Sequence, residues 1–261
     1  MLKTILHLYG YDFTSYSKAS LRRRLERIYS IYQFKNFEAF LDTVKNDNDF
    51  FKKLVEEITV NVTEMLRDPG FYRVIREKVL PQLATYPFIR IWHAGCSTGE
   101  EVYSMAILLE EARLLHKSLL YATDINPLVI EKARTGIFPM SMMQKYSDNY
   151  THSGGKRDFS NYYTANYNLA KFDEHLKQKM IFSTHNLVSD HSFNEFQLIF
   201  CRNVMIYFEK DLLAKVLNLF DNSLNELGFL ALGNKESIKF SPLASRYVQI
   251  DKQEKIWRKK T

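Results

Sequence analysis

Long apolar runs are missing from this 261-residue sequence. None approaches the roughly 20 residues that a membrane-spanning helix requires, so no membrane insertion is expected. The opening, MLKTILHLYGYDF, is too brief in its apolar part and turns polar too soon for a secretory leader. Cysteine is scarce. Cys96 and Cys201 stand far apart and outside any ligand-like spacing, which argues against structural zinc, a disulfide framework and secretion. A cytoplasmic protein without a bound metal is the expectation. Zinc fingers, RNA-binding signatures and long basic helices are also missing, so the mild net charge of +6 does not point to nucleic acid. That excess gathers in residues 18–27 and 252–260, where it suits either a solvated surface or an acidic partner. There is no internal repeat and no low-complexity segment.

What is present reads as an ordinary globular chain, long enough for one large domain or two modest ones. Residues 1–75 show helical patterns and no convincing strand. SLRRRLERIYSIY puts Leu21, Leu25, Ile28 and Tyr32 on one helical face, with Ser17 or Ser20 available as N-cap. NFEAFLDTVKND and DFFKKLVEEITVNV also fit amphipathic helices, and RDPG at 67–70 marks a turn before a further helix toward Leu80.

From Tyr86 strands and helices alternate. FIRIWHAG is a strand running into glycine, followed by a helix over 100–116. SLLYATDI is a second strand, and PLVIEKARTG a short helix between Pro127 and Gly136. FQLIFCRNV is a strand, EKDLLAKVLNLFDNSLNEL a helix closed by Gly228, and FLALGN a strand. This rhythm predicts an α/β fold, a doubly wound, Rossmann-like parallel sheet with helices on both faces. SRYVQIDKQEKIWRK predicts a terminal hairpin at an antiparallel edge. Residues 150–183, rich in tyrosine and carrying Gly154 and Gly155, interrupt the rhythm and read as an insertion.

Five stretches carry candidate chemistry. In IWHAGCSTGEEVYSMAI the glycines Gly95 and Gly99 follow the first strand, where a ligand can approach the backbone closely. The spacing satisfies neither the dinucleotide fingerprint nor the phosphate-binding P-loop, because Glu100 stands where the P-loop has lysine. A pyrophosphate would be repelled by Glu100 and Glu101, whereas an amine or a sulfonium would be attracted. S-adenosylmethionine carries both and has no phosphate. The plainer reading is a strand-to-helix turn with solvated acids. The second strand ends at Asp124, placed to accept hydrogen bonds from ribose hydroxyls, while helix capping suits Asn126 better. FCRNVMIYF sets Arg202, Asn203 and Tyr207 at the end of a buried strand, where a ligand or a structural ion pair would use them. HNL at 185–187 ends another strand within reach of an adenine edge. NVTEMLRD supplies Asn61, Thr63 and Arg67 ahead of the sheet, and is equally read as a helix end with Asp68 in the turn.

Taken together, these segments resemble the CheR-type chemoreceptor methyltransferases. That family shows N-x-T-x-x-F-R before the sheet, A-x-S-T-G-E-E at the glycine turn, an A-T/S-D-I-D strand end, N-L after an inserted subdomain, and F-C-R-N-V-x-I-Y-F. This chain has NVTEMLR, AGCSTGEE, ATDIN, NL and FCRNVMIYF in that order. The resemblance implies an S-adenosylmethionine-dependent protein-glutamate O-methyltransferase that acts in chemotaxis adaptation, leaving S-adenosylhomocysteine. It implies an N-terminal helical, receptor-contacting domain at 1–75 and a methyltransferase domain at 76–261, with 150–183 an inserted β-subdomain. Asn61, Thr63, Arg67, Glu101, Asp124, Asn186, Leu187, Arg202 and Asn203 would bind the cofactor, and Arg67 and Tyr207 would lie by the transferred methyl group. The basic helix with Lys18, Arg22, Arg23, Arg24 and Arg27 would meet the cytoplasmic domain of a methyl-accepting receptor. A monomer is expected, although nothing in the sequence sets the oligomeric state. The chain departs from the pattern at Met65 and Leu66, where paired aromatics are usual, and at Gly95 and Cys96, where alanines are common. It departs again at Asn234 and Lys235 in GNKES, where the family has GHSE. A methyltransferase for another substrate, or a module that senses the cofactor without turnover, are the rival readings.

Overall fold

The structure is a computed structural model that describes residues 1–59 and 61–261. Four helices open the chain: α1 (Leu2–Tyr9), α2 (Lys18–Ile31), α3 (Phe37–Asn46) and α4 (Asn48–Ile58). Their starts follow local chemistry. Asn36 accepts the Ala39 N–H at 2.9 Å to cap α3, and Asp47 accepts the N–H groups of Asp49 and Phe50 to cap α4. Ser17 sits at the N-cap of α2 without a side-chain cap bond. The apolar faces meet in one cluster that includes Leu21, Ile28, Phe40, Phe50 and Leu54. Tyr32, expected on the buried face of α2, is 44% exposed.

Next comes α5 (Pro69–Val74), which runs through a π-helical turn at Ile75–Val79 into α6 (Leu80–Leu83). Met65, Leu66, Phe71, Tyr72 and Ile75 pack with the strands, not with the N-terminal cluster. The cores therefore part between Ile58 and Met65, and a boundary at residue 75 would cut a continuous helical segment.

The remaining elements are β1 (Ile89–Ala94), α7 (Glu100–Glu111), β2 (Ser118–Asp124), α8 (Pro127–Thr135), β3 (Ile137–Pro139), α9 (Met143–His152), β4 (Tyr163–Asn166), β5 (Leu169–Phe172), α10 (Glu174–Lys177), β6 (Met180–Thr184), β7 (Phe196–Cys201), α11 (Lys210–Ser223), β8 (Leu224–Leu232), β9 (Tyr247–Asp251) and β10 (Ile256–Lys259). Seven strands form one sheet in the order β6-β2-β1-β7-β8-β10-β9. The first five of these pair in parallel, and β10 is antiparallel to both β8 and β9. Alternate residues of β1 serve opposite faces: Ile89 and Ile91 join the cluster beneath α7, and Trp92 and Ala94 the cluster beneath α11. The strand order reverses between β1 and β7, and a crevice opens at their carboxyl ends. No helix among the described residues is long and apolar enough to cross a membrane.

Three expectations shift. α7 stops at Glu111 and not at residue 116, because Arg113 turns left-handed (φ 58°) to feed β2. α11 stops at Ser223. Leu224 already pairs with Phe196, and Gly228 lies inside β8 at an irregularity in its pairing, so it closes no helix. The insertion is a three-stranded antiparallel sheet in the order β3-β5-β4. It begins at Ile137, ahead of the expected residue 150, and residues 180–183 belong to the main sheet as part of β6.

Candidate functional site

The glycine loop after β1 is shaped by two glycines at which any side chain would be strained. Gly95 has φ +79°, and a Cβ there would lie 2.4 Å from Cγ2 of Val204. Gly99 has φ +94° at the N-terminus of α7, and its Cβ would lie 2.9 Å from that of Ala133. Between them Ser97, also at positive φ, gives its N–H to Asp124 Oδ2 at 2.9 Å. Asp124 Oδ1 accepts the Asn126 N–H at 3.0 Å, while Asn126 caps α8 through Leu128. Asp124 thus ties the glycine loop to the next helix and still faces the cavity. Burial pushes its carboxyl above the usual range, against the pull of those backbone N–H groups.

The two acids behind the loop diverge. Glu101 lines the cavity, with Oε1 2.9 Å from His93 Nδ1 and Oε2 3.7 Å from Arg202 Nη1. Glu100 is buried and accepts the Thr98 hydroxyl at 2.6 Å; burial pushes its carboxyl upward as well. Only the second acid is offered to a ligand.

Arg202 closes the opposite side. Its guanidinium bonds Asp68 Oδ2 at 2.7 Å and lies 3.9 Å from the centroid of the Phe71 ring. His93, Glu101, Arg202 and Asp68 form a continuous run of charged and polar groups, with His93 fully buried and stacked on Phe200 at 4.6 Å. The backbone is unusual at this place: Leu66, Asp68, Ser97 and Asn203 all have positive φ, a concentration typical of ligand sites.

All nine residues expected to bind the cofactor line one cleft enclosing roughly 970 Å³, open mouth included. Asn61, Thr63 and Arg67 come from the segment that joins the helical domain to the sheet. Glu101 and Asp124 come from β1–α7 and β2, Asn186 and Leu187 from the loop after β6, and Arg202 and Asn203 from the end of β7. Tyr207 lies at the same rim, and Arg67 Nη1 bonds Val62 O at 3.3 Å. The Asn61 amide turns toward α4, donating to Glu56 O at 3.2 Å. The five basic residues on α2 lie outside the cleft. Lys18, Arg22, Arg23 and Arg27 are exposed, with Arg22 paired to Glu26 at 2.7 Å and Arg27 near Glu57 at 3.9 Å. Arg24 is turned inward: it bonds Ile58 O, and its guanidinium lies 5.0 Å from the Tyr207 ring centroid.

Several cleft residues carry no local signal in the sequence. Tyr16 reaches in from the N-terminal domain, and Tyr72 from α5. The backbone of 15–17 is stitched to that of 207–209 by Ser17 N–H to Tyr207 O (2.8 Å) and Glu209 N–H to Ser15 O (3.0 Å). His93 stands inside a motif, yet only the fold shows that it supports Glu101. Glu236, in GNKES, contacts the backbone of the Arg202 loop.

The donor set fits S-adenosylmethionine. Acids at Glu101 and Asp124 suit an amine, a sulfonium and ribose hydroxyls, while Arg67 suits a carboxylate. The cleft also holds buried polar atoms without a partner among the described residues: Ser97 Oγ, Tyr72 Oη, His185 Nδ1 and Arg202 Nε. Such atoms are costly unless a ligand or water satisfies them.

Two family models match almost the whole chain. Residues 1–59 match "CheR methyltransferase, all-alpha domain", and residues 61–254 match "CheR methyltransferase, SAM binding domain". "Putative methyltransferase Cher3" of Pseudomonas putida is 45% identical over 259 residues, covering 99% of this chain and 95% of that protein. "Chemotaxis protein methyltransferase 1" of Vibrio cholerae is 33% identical, covering 84% of this chain and 80% of that protein. The "Chemotaxis protein methyltransferase" of Borreliella burgdorferi is 30% identical, with 92% and 87% covered.

Proposed function

The chain belongs to the CheR methyltransferase family, and from that premise we propose that it esterifies glutamate carboxylates of methyl-accepting chemoreceptors. It is a methyltransferase that uses S-adenosylmethionine. The substrate, the residue roles, action as a monomer in the cytoplasm and a domain boundary near residue 60 belong to the proposal. One observation carries the receptor reading. The basic helix α2 is joined to the substrate side of the cleft, through Arg24 against Tyr207 and the Ser17–Tyr207 backbone bond. An acidic helical partner that docks on Lys18, Arg22, Arg23 and Arg27 would therefore present its carboxylates beside Tyr207 and Arg67.

The cofactor, when bound, supplies an already activated methyl group. No general base is required of the protein, because a glutamate side chain is ionised near neutral pH, with a pKa of about 4.3. The residues instead align the reacting atoms. Glu101 and Asp124 favour the cationic, hydroxyl-bearing ligand and disfavour a phosphate. Arg67 and Tyr207 orient the incoming carboxylate. Full pairing with Arg67 would dull the nucleophile, so its tie to Val62 O, which occupies part of the guanidinium, suits orientation over neutralisation. Arg202 is held by Asp68 and Glu101 and serves as a fixed wall, since its charge is already balanced.

The test is incubation of the full chain with methyl-labelled S-adenosylmethionine and receptor cytoplasmic domains, followed by alkaline release of methanol. Volatile label is the expected result. Tight cofactor binding with no base-labile product on any cognate receptor would favour the sensing reading instead.

A further inference from the structure

We infer that Glu236 is a positioning residue for the cofactor cleft: its buried carboxylate holds the backbone turn that carries Arg202, Asn203 and Tyr207. The inference rests on the reading of this cleft as the S-adenosylmethionine site. Glu236 is 5% exposed and makes no ion pair among the described residues. Its two oxygens accept five backbone N–H groups. Oε2 takes Asn203 at 2.9 Å and Gly233 at 2.7 Å, and Oε1 takes Val204 at 3.0 Å, Met205 at 2.8 Å and Ile206 at 3.3 Å. Successive N–H groups converging in this way form a nest, which ordinarily cradles an external anion. Here the chain supplies its own anion from the loop after β8, some thirty residues away.

The turn needs this anchor. Between β7, which ends at Cys201, and α11, which begins at Lys210, lies only a short 3₁₀ turn at Met205–Tyr207, and among the described residues the N–H groups of 203–206 have no backbone acceptor. Asn203 is left-handed at φ 62°, and Val204 presses on the Gly95 position of the opposite loop. The carboxylate therefore fixes both the wall made by Arg202 and Asn203 and the rim made by Tyr207. Space at the anchor is tight: a Cβ on Gly233 would fall 2.7 Å from Glu236 Oε2 and 2.8 Å from Asn203 N.

Glu236→Gln keeps the volume but turns two donors toward converging donors, and Glu236→Ala opens a space of carboxylate size. The experiment titrates the parent and both variants, as full chains, with S-adenosylhomocysteine by calorimetry. Each titration is run in sodium formate and in sodium chloride of equal ionic strength, with circular dichroism confirming the fold. The expected result is folded variants whose dissociation constants rise at least about tenfold in chloride, the loss of one to two net charged hydrogen bonds. Formate should recover most of that loss in Glu236→Ala and none in Glu236→Gln, whose side chain still fills the space. Unchanged affinity in Glu236→Gln, equal loss in both salts for Glu236→Ala, or unfolding of both variants would each overturn the positioning role. A parent that fails to bind S-adenosylhomocysteine would sink the functional reading and this inference with it. A binding parent with indifferent variants sinks this inference alone.

Discussion

Replacing Gly95 by alanine tests how the two loops of the cleft lean on each other. The left-handed backbone at φ +79° costs a residue with a Cβ roughly 1–2 kcal/mol. The new methyl would also stand 2.4 Å from Val204 Cγ2 and 3.3 Å from Cγ1. Relief requires Val204 to withdraw by about 1 Å toward an ordinary carbon–carbon separation, an overpacking cost of about 1–3 kcal/mol. The sum, about 2–5 kcal/mol, is a sizeable part of a typical domain's stability but need not unfold it. Val204→Ala removes both clashing methyls and leaves only the Cβ, which lies 3.4 Å away. In the Val204→Ala background the second substitution should therefore cost only the backbone part, a coupling of about 1–3 kcal/mol in a double-mutant cycle. Urea unfolding of the four proteins measures it, and S-adenosylhomocysteine affinity should follow the same order. Purely additive losses, or a Gly95→Ala protein as stable as the parent, would refute the contact.

Three further outcomes follow from the site. Tyr207→Phe should lower the turnover number for receptor methylation about tenfold or more while S-adenosylhomocysteine affinity stays within about twofold, as for a lost orienting hydrogen bond; equal turnover would remove Tyr207 from the chemistry. Reversing Arg23 and Arg27 to Glu should slow receptor methylation and flatten its salt dependence without changing cofactor affinity, and unchanged rates at low salt would count against docking on α2. Burial raises the carboxyl of Asp124, so it protonates at a higher pH than an ordinary aspartate. Its folded form binds the proton more tightly than the unfolded chain does. Stability from this group is thus present below the ordinary range near 4 and is lost as pH rises through the raised value. Ligand affinity should move the opposite way, weakening on acidification as the ionised acceptor is lost. Asp124→Asn should erase that part of the pH profile, and an identical profile in the variant would exclude Asp124 as the group responsible.

The α/β rhythm was readable because parallel strands such as IRIWHA and FQLIFC are buried on both faces and stand as short apolar runs between helical patterns. The cleft was readable where ligand chemistry leaves a local mark, as at Glu101 after the glycine turn, Asp124 at a strand end, and Arg202 and Asn203 after β7. What stayed hidden depends on distant partners. Glu236 recognises backbone N–H groups, which any residue supplies, so its role leaves no side-chain pattern. Tyr16 reaches the cleft only because 15–17 pairs with 207–209. The end of α11 is hidden because NSLNEL keeps helical spacing, while pairing of Leu224 with Phe196 takes the chain from Leu224 onward into β8. The insertion's first strand, only Ile137–Pro139, is too short to show alternation.

The most direct test of the central claim locates the transferred methyl group. A receptor cytoplasmic domain is incubated with the full chain and deuteromethyl S-adenosylmethionine, then mapped by tandem mass spectrometry before and after mild alkali. Label is expected on glutamate side chains, lost in alkali and absent when the enzyme carries Asp124→Asn. Label on lysine, arginine or cysteine that survives alkali would contradict it.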